Sequence, residues 1–119
     1  MIDKKINKIL VPLDGSKNSI RALEMALSMA RCFGSTITGV YSIKIQPYSE
    51  FQGLGSANKE WNKEIKKIMN DAKTLSAQNG INFKERLMRG DIGYNIIKLA
   101  HKKKENFDLI IMGSRGRST

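Results

Sequence analysis

Apolar and polar positions along this chain alternate between short continuous apolar runs and longer stretches with a 3.6-residue period. Ile9-Leu10-Val11-Pro12-Leu13 is a continuous apolar run, the pattern of a strand buried on both faces. Pro12 has no N–H to give to a ladder, so it belongs near that strand's end. Asp14-Gly15-Ser16 follows as a turn, in which Gly15 permits unusual backbone angles and Ser16 is a good N-cap. From Lys17 to Phe33 the residues Ile20, Leu23, Leu27 and Ala30 recur at helical spacing, and Gly34 supplies the stop. Thr36 to Ile43 is β-branched and aromatic, which predicts a second strand.

Residues 44–58 contain Gln46-Pro47 and Gly53-Leu54-Gly55-Ser56 and read as a long loop or a loosely ordered helix start. From Lys59 the stripe Trp61, Ile65, Ile68, Met69, Ala72, Leu75 predicts a second amphipathic helix, ending near Asn79-Gly80. Ile81 to Met88 sets Phe83, Glu85 and Leu87 against Lys84 and Arg86, the alternation of a half-buried strand near a sheet edge. Gly90-Asp91 caps a third helix carrying Ile92, Ile96, Leu99 and Ala100. The run His101-Lys102-Lys103-Lys104 near its end suits the helix dipole. Phe107 to Met112 is the last strand, and Gly113 to Thr119 closes the chain. The order βαβαβαβ predicts right-handed crossovers and a parallel sheet covered on both faces.

A length of 119 residues fits one domain, and a 40% hydrophobic content is ordinary for a globule of that size. No apolar run approaches the roughly 20 residues that cross a bilayer, so no membrane partner is expected. The start, Met1-Ile2-Asp3-Lys4-Lys5, carries no signal-peptide pattern, which points to the cytoplasm. Cys32 is the single cysteine and excludes both an intramolecular disulfide and a cysteine-based metal cluster. Its neighbours Met29, Ala30 and Phe33 predict a buried, inert thiol. The net charge of +10 predicts attraction to polyanions. The lysines, however, are spread over several elements and read mainly as solvated faces.

Ligands of open parallel sheets bind beyond the carboxyl ends of the strands, where strand order reverses. If the first strand is central, with strands two and three on one side and strand four on the other, that point lies between strands one and four. The loops there are Asp14-Gly15-Ser16 and Gly113-Ser114-Arg115-Gly116. The glycines would admit backbone N–H groups to phosphate oxygens, and Arg115 and Arg117 would add charge-assisted bonds. Asp14 would repel phosphate and so suits a ribose hydroxyl, an adenine amino group or a bridging Mg²⁺. Gly15-Ser16-Lys17-Asn18-Ser19 lacks the ending of a P-loop, and no dinucleotide fingerprint follows the first strand. His101, the only histidine, is predicted on an exposed helix end, which leaves no home for a nucleophile–histidine unit.

Three stretches resemble one family. Lys8 to Ser16 looks like the opening strand and turn of the universal stress proteins, Val40 lies in a second strand of their type, and Asp108 to Gly116 looks like the start of their nucleotide loop. The resemblance implies an α/β, Rossmann-like open parallel sheet, homodimers, and a division into ATP binders and non-binders. It also implies that Pro12 and Asp14 flank adenosine, that backbone at Val40 bonds the adenine, and that Met112, Gly113 and Gly116 contact ribose and phosphates. Gly113 and Gly116 match the first two glycines of the binders' loop. The distal Gly-Ser or Gly-Thr would fall past Thr119. A single domain over 1–119 is therefore expected, with strand order 3-2-1-4, lacking the family's final helix and fifth strand. The expected function is a stress-response module that binds ATP or a related adenine nucleotide, with Mg²⁺ at Asp14, and performs at most slow hydrolysis. The alternative is a dimeric adaptor of the same fold that binds no nucleotide. Nucleic-acid binding is disfavoured: Gly-Ser-Arg-Gly superficially resembles a KH clamp, which joins two helices, whereas this loop follows a strand.

Overall fold

The computed structural model of the chain describes residues 6–43 and 55–113; over 55–62 it describes the backbone alone. Its elements are β1 (Lys8–Pro12), α1 (Lys17–Phe33), β2 (Thr36–Ile43), α2 (Gly55–Gln78), β3 (Phe83–Arg89), α3 (Ile92–His101) and β4 (Leu109–Ile110). The strands form one parallel sheet in the order β3-β2-β1-β4, as expected from the resemblance.

The ends of α1 come from local chemistry. Ser16 caps its start, its side chain accepting from the Ser19 N–H at 3.1 Å, and Gly34 closes it in the left-handed region at φ 70°. Asp91 caps α3 in the same way, accepting from the Tyr94 N–H at 2.9 Å.

Alternation along the strands sends successive side chains to opposite faces. Ile9, Val11 and Ile37 pack with Leu23, Leu27, Ile65 and Met69, so α1 and α2 cover one face. Leu10 and Val40 pack with Ile96 and Leu99, so α3 covers the other. Gly39 has no side chain because none fits: a Cβ there would meet the Phe83 ring at 2.5 Å and the Leu13 Cδ1 at 2.9 Å.

Pro12 is the last residue of a central strand. The Leu13 N–H donates to the Val40 carbonyl at 2.8 Å, so by alternation the missing Pro12 donor would have faced β4. That pairing ends at Ile110, so the missing donor falls where the β1–β4 ladder stops.

Several expectations are corrected. Of the two readings of 44–58, the helix start holds over 55–58, where α2 begins at Gly55 ahead of the expected Lys59, while 44–54 lie outside the described residues and the Trp61 side chain does too. Strand β3 runs Phe83–Arg89, not 81–88, and its Leu87 is 55% exposed, while Phe83, Arg86 and Met88 are its half-buried residues. Strand β4 pairs over two residues only, where 107–112 was expected: a strand at the sheet edge has one neighbour to define it, and β1 ends at Pro12. Ile20 and Ile92 sit on predicted apolar stripes but are exposed, as is Ala100. Cys32 is exposed: two residues past Ala30 it falls on the face of α1 opposite the buried Ala26, Leu27 and Ala30, so the buried thiol is overturned.

Candidate functional site at the carboxyl ends of β1 and β4

The turn after β1 is tied together by its own polar groups. The Asp14 Oδ1 accepts from the Ser16 N–H at 2.8 Å, an Asx turn that Gly15 permits by adopting φ 83°. The Ser19 hydroxyl donates to the Ser16 carbonyl at 2.9 Å. The first turn of α1 contains no acidic residue and begins with Lys17. The positive end of the helix dipole therefore meets one carboxylate, Asp14 on the Ser16 N–H, and none from the first turn itself; such an end favours an anion.

Strands β1 and β4 are parallel neighbours, with Leu10 opposite Ile110. Their carboxyl ends consequently leave the sheet at one rim. The Ile111 N–H still donates to the Leu10 carbonyl at 3.0 Å, and three residues beyond Ile110 the chain reaches Gly113. A Cβ built on Gly113 would sit 2.9 Å from the Asn18 backbone carbon, oxygen and Cβ. The loop after β4 thus abuts the first turn of α1.

Of the residues singled out in the sequence, Pro12 is buried at the end of β1 and Val40, its partner across the ladder, is buried within β2. Asp14, Gly15 and Ser16 form the turn, Gly113 abuts α1, and Met112 is 56% exposed beside it. The Val40 carbonyl already accepts from Leu13, so a ligand bond there would use its second lone pair. Ser114, Arg115, Gly116 and Arg117 lie outside the described residues. No group of three or more metal-ligating side chains occurs among the described residues.

Two features were not read from the sequence. Asn18 is the residue against which Gly113 packs, and a polar residue in a helix's first turn carries no signal of that kind. A groove of about 340 Å³ also opens between α1 and α2, next to Gly15, with Leu13, Ile20, Leu23, Ile68 and Leu75 among its walls and Glu64, Lys67 and Asp71 at its side. The helical position of Ile20 was the available clue: its stripe points inward, and its exposure marks where α1 and α2 part.

The sequence pattern of the Universal stress protein family matches residues 5–119. The chain belongs to the universal stress protein family. Universal stress protein MJ0531 of Methanocaldococcus jannaschii is 27% identical over 118 residues, covering 93% of this chain and 66% of that protein. This universal stress protein chain therefore spans about two thirds of that relative's length. Among solved structures, the universal stress protein UspA from Lactobacillus plantarum superposes with a TM-score of 0.83 at 22% identity, over 98% of this chain and 83% of that one. A universal stress protein solved in complex with cAMP superposes with a TM-score of 0.68 at 19% identity, over 90% of this chain and 72% of that one. At these identities the two structures establish the fold.

Proposed function

We propose that this universal stress protein chain is a regulatory module that binds an adenine nucleotide, ATP or a close relative, at the carboxyl ends of β1 and β4. The observation that carries the reading is the contact of Gly113 with the first turn of α1. It joins a glycine backbone to a helix whose first turn carries no acidic residue, at the point of the sheet where strand order reverses. The relative solved with cAMP gives a ligand of the same class.

In this reading Pro12, Asp14 and Val40 border the adenosine. Asp14, fixed through Oδ1 by the Ser16 N–H, meets a ribose hydroxyl, the adenine amino group, or Mg²⁺ carried with the nucleotide. Gly15, Ser16, Met112, Gly113, Ser114, Arg115 and Gly116 line the ribose and phosphates. His101 ends α3, which leads into the start of β4, so it stands at the opposite rim from this site. No imidazole is placed to activate water there, and the module binds and releases nucleotide with at most slow hydrolysis. A cytoplasmic homodimer of a single domain is the expected working form. Among the described residues no helix is long and apolar enough to cross a membrane.

Calorimetric titration of the chain with ATP, with ATP and Mg²⁺, and with cAMP is the test. Binding that weakens in Asp14→Ala is expected. Absence of heat with all three ligands at sub-millimolar concentration would refute it. One observation favours the adaptor reading: Asp14 Oδ1, the Ser16 hydroxyl and the Val40 carbonyl already hold bonds inside the protein. A dimer that takes up none of the three nucleotides would select that reading.

A further inference from the structure

Helix α3 presents an outward ridge unrelated to the site above. Tyr94, Ile97 and His101 follow at i, i+3 and i+7 and so share one face. Tyr94 is 64% exposed and Ile97 59%. Lys98 lies beside this ridge, and Lys102, Lys103 and Lys104 continue from its end, all exposed. The helix dipole accounts for Lys98 and His101 in the last turn, but Lys103 and Lys104 stand past the Lys102 cap.

The lysines sit on a fixed platform. The Glu105 carboxylate pairs with Arg86 of β3, its carbonyl accepts from Lys8 Nζ at 2.9 Å, and its N–H donates back to the Lys102 carbonyl at 3.1 Å. The turn is thereby pinned to both β1 and β3. Lys84 stands two positions before Arg86 on the same face of β3. None of Lys84, Lys98, Lys102, Lys103 and Lys104 makes an ion pair among the described residues. Among the nearby acids Glu105 is neutralised by Arg86, while Asp108 and Asp91 bond to backbone N–H groups and keep their charge, two negatives against five lysines.

We propose that the outward ridge of α3 and the lysine turn after it form a docking surface for an anionic lipid bilayer. Three features choose this partner over nucleic acid. The cations of this cluster that make no ion pair among the described residues are all lysines, whose long stems let the ammonium reach headgroups while the methylenes lie on apolar surface. The one arginine in the cluster, the residue suited to bidentate phosphate recognition, is held by Glu105. An aliphatic and an aromatic side chain project from the middle of the ridge, where a phosphodiester backbone would leave Ile97 unsatisfied and a bilayer interface accepts both. Clusters of four or more lysines beside such a helix face are the pattern attracted to anionic leaflets. This is a contact with the membrane surface, not a span.

Flotation of the whole chain with phosphatidylcholine vesicles, with and without phosphatidylglycerol, tests the proposal. Binding is expected only with phosphatidylglycerol, and should fall as salt rises. Each lysine removed should weaken it about fivefold. The triple change Lys102→Gln, Lys103→Gln, Lys104→Gln should therefore lose roughly a hundredfold, and Ile97→Ser should weaken it independently of salt. All four positions are exposed, and a circular dichroism spectrum matching the parent checks the fold of each variant. No partition into anionic vesicles at low salt, or equal partition by the triple variant, would overturn the proposal. So would a labelled single-stranded oligonucleotide that binds more tightly than the vesicles and is indifferent to Ile97→Ser.

Discussion

Gly113 lies so close to Asn18 that a single methyl group on its Cα would come within 2.9 Å of the Asn18 backbone. The obstacle is helix backbone, which cannot swing aside as a side chain can. Gly113→Ala should therefore push the end of β4 away from α1 and lower stability by about 1–3 kcal/mol, the usual range for overpacking. Thermal unfolding measures the loss. On the proposed function, nucleotide affinity should fall further than in an equally destabilised variant elsewhere.

Gly39 presents the same problem inside the core, with a different kind of neighbour. The atoms a Cβ would meet are the outer ring of Phe83 and a methyl of Leu13, both ends of side chains. Gly39→Ala should cost about 1 kcal/mol, near the low end for overpacking. Adding Phe83→Leu should recover part of it, and a double-mutant cycle by urea denaturation would show the coupling.

Asp108 stitches the start of β1 to β4: its Oδ2 accepts from the Asn7 and Lys8 N–H groups at 2.8 and 3.0 Å. The site is exposed, so water can replace the carboxylate. Asp108→Ala should then cost only about 1 kcal/mol. Hydrogen exchange should report the loss at residues 7 and 8 more strongly than at the Leu13 amide.

Ser16→Ala removes the acceptor for the Ser19 N–H and should destabilise by about 1 kcal/mol, the typical value for a lost N-cap. Ser16→Asn, which caps as well, should restore most of the stability. A calorimetric melting series over the two variants would separate capping from any contact with a ligand.

Cys32 is exposed. The folded chain should react with a thiol reagent such as dithionitrobenzoate without denaturant, at one thiol per molecule. A thiol that reacts only after unfolding would contradict the placement.

The repeating pattern of strands and helices, the bounds of α1 and β2, and the caps at Ser16, Gly34 and Asp91 were all legible along the chain. These depend on residues within a few positions of one another: a hydroxyl or carboxylate reaching a nearby N–H, a glycine entering the left-handed region, apolar residues repeating at a fixed period. The turn after β1, Asp14 to Ser16, was legible for the same reason; of the loop after β4, Gly113 alone is among the described residues. Which of these residues meet was a different matter. Gly113 and Asn18 are far apart in sequence, and only the pairing of β1 with β4 brings them into contact. Burial likewise belongs to the assembled molecule. Ile20 and Leu87 carry local patterns that read as interior, yet α1 and α2 part beside Ile20 and β3 is an edge strand at Leu87. Cys32, by contrast, falls opposite the buried stripe of its own helix, where the helical period already puts it in solvent. Local periodicity states which face of an element is apolar; whether another element arrives to cover it depends on packing among segments distant in the chain.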